Sequence, residues 1–251
     1  MSPPIAKILV AFKSVPDPYE SAAPGGSGAT AKTVINPFDE IAIEEALRIR
    51  ERGEATEIIG VTIGTASVDE QVRAAMAMGV DRAIRVDDGR VLDPYAVARI
   101  LRAVVEKEAP QLVLMGKQAV DDDSNQAGQM LAGLLGWPQA TFISKIELLE
   151  DGARARCTRE TDGGLEVIEV NLPAIVTTDL RLNEPRYVSL PGLMKARKKS
   201  IETTNSAELG VNVQPLTTVL STSRPPRRAA GTRVESVEEL VRKLKEEAKV
   251  L

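Results

Sequence analysis

Gly116-Lys117-Gln118-Ala119-Val120-Asp121-Asp122-Asp123-Ser124-Asn125-Gln126-Ala127-Gly128-Gln129-Met130 joins a strand-like run to a helix-like one through a polar, acidic loop. Leu112-Val113-Leu114-Met115 precedes it, a short unbroken apolar run of the kind found in a strand buried on both faces. Met130-Leu131-Ala132-Gly133-Leu134-Leu135 follows, helical in composition and stopped by Gly136 and Pro138. Between the two, Asp123, Ser124 and Asn125 are each good helix N-caps, and Ala127 and Gly128 leave the first turn small. A strand, a polar loop and an unobstructed helix start put backbone N–H groups where a phosphate can reach them. The helix dipole favours that anion, and the carboxyl edge of a parallel sheet is where such ligands sit. Two other readings of the loop are open. A cap-rich loop of this type more commonly carries no ligand, and the Asp121-Asp122-Asp123 run is either a solvated face or a magnesium site beside a phosphate. The stretch is neither a Walker loop nor a G-x-G-x-x-G fingerprint.

Working outward, the same alternation repeats. On the N-terminal side, Lys7-Ile8-Leu9-Val10-Ala11-Phe12 reads as a buried first strand, followed by a Pro/Gly/Ser/Ala-rich loop over 14–32 that is long for a compact domain. Thr33-Val34-Ile35 is a short strand, and Asn36-Pro37 opens a helix with proline first and Asp39 and Glu40 early, where the dipole favours acids. Strands are expected over 57–63 and 82–86, with helices over 68–78 and 93–108, and Gly64-Thr65 begins a second candidate ligand loop. Alternating strands and helices predict a doubly wound, mostly parallel α/β sheet of the Rossmann-like, adenine-nucleotide α-hydrolase-like kind. After Pro138 the pattern changes to β-prone runs at 142–149, 153–161 and 165–171, joined by Glu150-Asp151-Gly152 and Asp162-Gly163-Gly164, which supply hairpin turns. Ala174-Ile175-Val176-Thr177-Thr178 then returns to the sheet, so an antiparallel hairpin is expected to be appended to it. The chain looks external from Leu182 onward. Residues 1–222 are expected to form the nucleotide-binding domain, and 223–251 a proline linker plus a helix with a capping box from Ser236 to Glu239 and one apolar stripe.

Composition narrows the function. A net charge of −4 argues against nucleic acid as the main partner, because neutralising phosphates requires a basic field. No histidine is present, which removes Ser-His and Cys-His nucleophile pairs and most zinc sites. The single cysteine, Cys157, excludes an internal disulfide framework. No stretch reaches membrane-spanning length, so no membrane insertion is expected. No acid–base constellation is visible either, and the expectation is a protein that is not itself an enzyme and holds no metal.

Several strings together resemble one family, the β subunit of electron transfer flavoprotein. They are Asn36-Pro37-Phe38-Asp39-Glu40-Ile41-Ala42-Ile43-Glu44-Glu45-Ala46; Ala75-Met76-Ala77-Met78-Gly79; Gly116-Lys117-Gln118-Ala119 with Asp121-Asp122-Asp123 and Asn125-Gln126; Trp137-Pro138-Gln139; Asp162-Gly163-Gly164-Leu165-Glu166; Asp179-Leu180-Arg181-Leu182-Asn183-Glu184-Pro185-Arg186-Tyr187; and Leu190-Pro191 with Met194-Lys195. The likeness runs in order along nearly the whole chain. It implies a heterodimer with a larger α subunit that holds FAD, while the β subunit buries a structural AMP. The positions matching the AMP site are Ala11, Asn36, Pro37, Phe38 and Asp39, then Ile63 and Gly64, and then Gly116, Lys117, Gln118, Ala119, Val120, Asp121, Asp122, Asp123, Ser124, Asn125, Gln126 and Ala127. The resemblance puts the phosphate near Asn125, Gln126 and Ala127, and Phe38 nearest the flavin. It also makes 183–199 a loop that docks acyl-CoA dehydrogenases and other flavoprotein dehydrogenases, with Leu190 as anchor beside Pro191, Leu193 and Met194. Lys195 and Lys198 match positions methylated in some members.

By the same resemblance the carrier passes its electrons to a membrane quinone oxidoreductase. It works in the cytoplasm of a bacterium or the mitochondrial matrix of a eukaryote, and its C-terminal arm packs on the α subunit. The family's Lys-Arg-Val stands here as Lys13-Ser14-Val15, which leaves flavin contacts from that loop out of the expectation. Two rival readings stay open: a bifurcating subunit carrying a second FAD in place of AMP, and a stand-alone adenine-nucleotide sensor of the same fold.

Overall fold

The structure, a computed structural model, describes residues 5–21, 32–149, 152–214, 216–218, 220–221, 223 and 230–251. The Gly25-Gly26-Ser27-Gly28 run, Glu150 and Asp151 of the expected turn, and residues 224–229 of the proline linker lie outside the described residues. The chain divides into two compact units, Met1–Thr217 and Thr218–Leu251.

The first unit is built on a nine-stranded sheet. Five strands run in parallel through its centre and one side: β1 (Ile5–Ala11), β4 (Ala55–Ile63), β5 (Arg82–Asp87), β6 (Leu112–Gly116) and β10 (Ala174–Thr178). With β7 (Gln139–Leu148), β8 (Arg154–Thr161), β9 (Gly164–Asn171) and β11 (Glu202–Asn205), the order is β11-β5-β4-β1-β6-β10-β7-β8-β9. A separate two-stranded antiparallel sheet pairs β2 (Ser14–Pro16) with β3 (Thr33–Ile35).

Side chains of the central strands alternate between two cores, as a period of two demands. Ile8 and Val10 of β1, and Leu112 and Leu114 of β6, enter one core; Leu9, Ala11, Val113 and Met115 enter the other. Helices α2 (Pro37–Glu51) and α3 (Asp69–Met78) cover the first face, and α4 (Pro94–Glu108) and α5 (Ala127–Leu135) the second. This is the doubly wound arrangement expected. The chain moves from β1 outward to β4 and β5, then returns to lay β6 on the other side of β1. The strand order therefore reverses between β1 and β6, and a crevice opens there at the carboxyl edge.

Two local expectations are filled in by the structure and two need correction. The three β-prone runs after Pro138 form three strands, and the antiparallel addition expected there extends the main sheet: β7 is parallel to β10 and antiparallel to β8, which pairs antiparallel with β9. All five residues of β10 are buried, so it takes an interior place between β6 and β7 although it follows both in sequence. The chain after Leu182 is not wholly external, because β11 adds to the sheet beside β5. Finally, 183–199 is not a loop throughout: Leu190–Lys198 is a helix, α6, capped by the Ser189 hydroxyl, which accepts the Gly192 amide at 3.2 Å.

The second unit contains α7 (Val237–Glu246). Its Ser236 hydroxyl accepts from the Glu239 amide at 3.1 Å, and the Glu239 carboxylate accepts from the Glu235 amide at 3.1 Å. The reciprocal bond of the expected capping box thus falls one residue early.

Candidate functional site at the strand-order reversal

A cavity of about 500 Å³ occupies the carboxyl edge of β1, β4 and β6. Of the residues singled out in the sequence, Ala11, Asn36, Asp39, Ile63, Gly116, Lys117, Gln118, Ala119, Asp121, Asp122, Ser124, Asn125, Gln126 and Ala127 line it. Pro37, Phe38, Gly64, Val120 and Asp123 are not among its lining residues.

Asp39 and Asn36 build the floor. Both come from the start of α2, and both are used differently from what local sequence suggests. Asn36 makes no cap bond to the helix it precedes. Its amide donates to the Gln118 carbonyl at 2.8 Å and its oxygen accepts from the Val120 amide at 3.2 Å, fixing the loop after β6. Asp39 does not sit in solvent at the helix start. It is 5% exposed, and its two oxygens accept the Lys13 amide and the Gly116 amide, each at 2.8 Å. One carboxylate thereby ties the ends of β1 and β6 where the strands part. Burial pushes the Asp39 carboxyl up to about 7, against the pull of those two amides. Gly116 is needed for this approach: a Cβ there would lie 2.5 Å from Asp39 Oδ1 and 2.6 Å from Phe38 Cβ.

The acidic run is tied to a lysine rather than standing as a bare solvated face. Lys13 Nζ lies 2.8 Å from the Asp121 carboxylate and 2.9 Å from that of Asp122. Burial works against the Lys13 ammonium, and the hydrogen bonds to these two aspartates outweigh it, so its pKa stands above the ordinary value. Asp123 instead accepts from Gln118 Nε2 at 2.8 Å. Among the described residues no group of three or more His, Cys, Asp or Glu side chains is placed to hold a metal. Lys117 pairs with Asp179 at 2.7 Å, and its ammonium lies 5.4 Å above the Phe38 ring, which is buried.

The three expected caps do not cap. Helix α5 starts at Ala127 with Gln126 in the cap position and no side-chain cap bond. Asp123 and Asn125 take left-handed backbone angles, φ 49° and 48°, and Asn125 accepts from Gln129 Nε2 at 2.9 Å. No side-chain cap therefore serves the first-turn amides of α5, which no intrahelical carbonyl can serve and which suit a ligand. Gly128 lets that start lie close to the sheet: a Cβ there would meet Thr177 Cγ2 at 2.7 Å.

The second wall went unread. Arg90, Val91, Leu92 and Pro94 of the β5–α4 loop line the cavity, with Val97 and Leu101 of α4, as do Phe12, Lys13, Val61, Thr62, Asp88, Met115 and Gly128. The rule that flagged Gly64 at the end of β4 applies equally to the end of β5, so position after a strand was the available signal.

The docking residues form a separate patch. Leu190 is 71% exposed and Met194 58%, with Pro191, Leu193, Lys195 and Lys198 also exposed, while Ala196 is buried against the core under α3.

Comparison with known proteins agrees along the whole chain. The electron transfer flavoprotein domain model matches residues 28–209. The chain is 53% identical over 250 residues to an electron transfer flavoprotein subunit beta of Bradyrhizobium diazoefficiens, covering 98% of this chain and 100% of that one. It is 50% identical over 254 residues to the mitochondrial subunit beta of Oryza sativa subsp. japonica, with the same coverage, 98% and 100%. Against the subunit beta of Homo sapiens it is 48% identical over 249 residues, covering 96% and 97%.

Proposed function

The chain belongs to the electron transfer flavoprotein β-subunit family, and from that membership we propose that it is the nucleotide-holding, partner-docking half of a heterodimeric electron carrier. Its partner is the α subunit, which holds FAD; that flavin, when bound, supplies the redox chemistry. This chain contributes a frame, an AMP and a docking surface. Electrons come from acyl-CoA dehydrogenases and other flavoprotein dehydrogenases and go on to a membrane quinone oxidoreductase. The place of work is the bacterial cytoplasm or the mitochondrial matrix. No helix among the described residues is long and apolar enough to cross a membrane.

The observation that carries the AMP reading is a crevice at the strand-order reversal that ends on a helix start without a side-chain cap. Its residues fit the group. A volume near 500 Å³ lies within the range of about 300–1,000 Å³ typical of small-molecule sites. Val61, Val97, Leu101 and Met115 offer an apolar wall for a base, and the 116–126 loop offers polar groups for a ribose. The amides opening α5 suit a phosphate, and Lys13, held by Asp121 and Asp122, keeps one side of the loop in place. Asp39 and Asn36 hold this frame from buried positions.

Mass analysis of the small molecules released on denaturing the α–β complex tests the reading. AMP at one per β chain is expected. Flavin released from the isolated β chain would overturn the AMP assignment and favour a bifurcating subunit. A β chain that stays monomeric and colourless when coexpressed with an α subunit would favour a nucleotide sensor.

The docking reading rests on α6, where Leu190, Leu193 and Met194 stand out beside Lys195 and Lys198. One small apolar anchor suits brief encounters with several partners. Leu190→Ala is expected to slow electron uptake from an acyl-CoA dehydrogenase roughly ten-fold with flavin content unchanged. Equal rates would remove Leu190 as anchor.

A further inference from the structure

The cavity has two walls, and only one is the phosphate-facing loop. The other is the chain between β5 and α4, where Arg90, Val91, Leu92 and Pro94 meet the cavity. Side chains fix this stretch. Arg90 donates to Asp88 through Nε at 2.9 Å and Nη2 at 2.6 Å, and its backbone amide donates to Asp88 at 3.0 Å. Nη2 also donates to the Ser206 hydroxyl at 3.1 Å. The Asp88 side chain is 3% exposed and that of Arg90 53%, so the guanidinium closes over a covered carboxylate in a planar, two-pronged pair.

Ser206 directly follows β11. From there Leu209 and Val211 pack on the core beneath α4, and Val213 is buried in it. A second tie follows at Asp93. One of its oxygens caps α4 through the Ala96 amide at 2.8 Å, and the other accepts the Leu216 amide at 2.6 Å. Residues 206–214 thus run as a strap over this part of the fold, tied to the cavity wall at Ser206, with Leu216 tied to Asp93.

We propose that Arg90 is a ligand-retaining residue: by clamping Asp88 and Ser206 together it holds the β5–α4 loop along the cavity, and opening of this latch sets the rate at which the adenine nucleotide leaves. The inference rests on the AMP reading above and adds to it which residues govern exchange. Arg90 acts as a positioning residue, through the loop that it pins, and because it also lines the cavity the graded response of Ser206→Ala, outside the lining, separates loop pinning from direct contact.

The test loads the complete α–β complex with isotopically labelled AMP, adds excess unlabelled AMP and follows the label retained. Arg90→Ala is expected to release label about two- to five-fold faster than the parent, the scale on which a solvent-screened charge pair acts. Arg90→Lys, which keeps the charge without the fork, falls between the two, and Ser206→Ala gives a smaller acceleration. Parent-like release from Arg90→Ala overturns the latch. So does a lowered unfolding midpoint for Arg90→Ala in nucleotide-stripped complex unaccompanied by any graded response of Arg90→Lys and Ser206→Ala, since that marks a purely structural role. A parent complex that takes up no labelled AMP overturns the nucleotide reading itself, a different failure from either of these.

Discussion

Asp39 holds two backbone amides on one buried carboxylate, and that double duty makes it the most informative single side chain. Its carboxyl is raised to about 7 in the folded chain, whereas an unfolded chain leaves it near the ordinary 3.8. Between those values the folded state binds the extra proton, so the contribution of Asp39 is fully present below about pH 4 and is lost as pH rises through 7. The difference in urea midpoint between parent and Asp39→Asn, taken at intervals from pH 4 to 8, should therefore move against the parent as pH rises. A difference that stays flat over that window rejects the raised value. Gly116→Ala makes a second point at this scale. The added methyl meets Asp39 and Phe38 inside contact distance, so α2 has to shift, at a cost of about 1–3 kcal/mol. A denaturant midpoint unchanged from the parent would contradict it. Neither role was legible in the sequence. Asn36-Pro37 and the early acids announce a helix start, which is correct, but the oxygens that usually cap a helix or face its dipole are here spent on residues 77 and 84 positions away. Local pattern identifies the residue type and the turn; it does not identify a distant partner competing for the same oxygen.

Helix α6 owes its place to α3 and to the chain just beyond it. Arg73 Nη1 donates to the carbonyl of Ala196 at 2.9 Å and to those of Arg197 and Lys199 at 3.3 Å, serving the helix end where carbonyls lack intrahelical partners. Lys199 Nζ in turn donates to the carbonyls of Val80 at 3.0 Å and Asp81 at 2.8 Å. At the other end Gly192 packs so closely on α3 that a Cβ would lie 2.7 Å from the Ala77 carbonyl. Arg73→Ala is expected to fray the last turn and raise the dehydrogenase concentration needed for half-maximal electron uptake about three- to ten-fold, with nucleotide content intact. An unchanged concentration dependence would show that the helix needs no outside cap to dock. The sequence concealed this element for a physical reason. Pro191 and Gly192 read as breakers, yet proline is well placed in a first helical turn behind a Ser189 cap, and the glycine is there for close packing. Strand β11, Glu202-Thr203-Thr204-Asn205, was equally hidden: an edge strand with no buried residue has no alternation to betray it. The apolar strands and amphipathic helices of the centre were readable because burial imposes a period on them.

For the molecule as a whole, strand order sets where the candidate crevice opens; alternation of strands with helices predicted the doubly wound sheet, and the structure supplies the order. Two sheet faces and two cores follow from that pattern, and the reversal between β1 and β6 comes with the observed order. What alternation does not supply is a partner for the second unit. Helix α7 has no buried residue, although Val237, Leu240, Val241 and Leu244 form one stripe; Val237 is 71% exposed, Leu240 42% and Val241 40%. Its stability as a helix is supplied locally, by the Ser236 cap and by pairs such as Lys243 with Glu239. Full burial of each such aliphatic side chain is worth about 1.5–3 kcal/mol, and every ~1.4 kcal/mol that survives the costs of association changes affinity ten-fold. A chain ending at Ser223 should therefore give at least roughly ten-fold less α–β complex at limiting concentration. Leu240→Glu with Val241→Glu should reproduce the loss while leaving the helix and its cap in place, since both positions lie within α7 and away from Ser236. If the truncated chain and the double variant both assemble as fully as the parent, the stripe is not an α-subunit contact and the arm has another use. If truncation weakens assembly but the double variant does not, the linker rather than the helix face makes the contact.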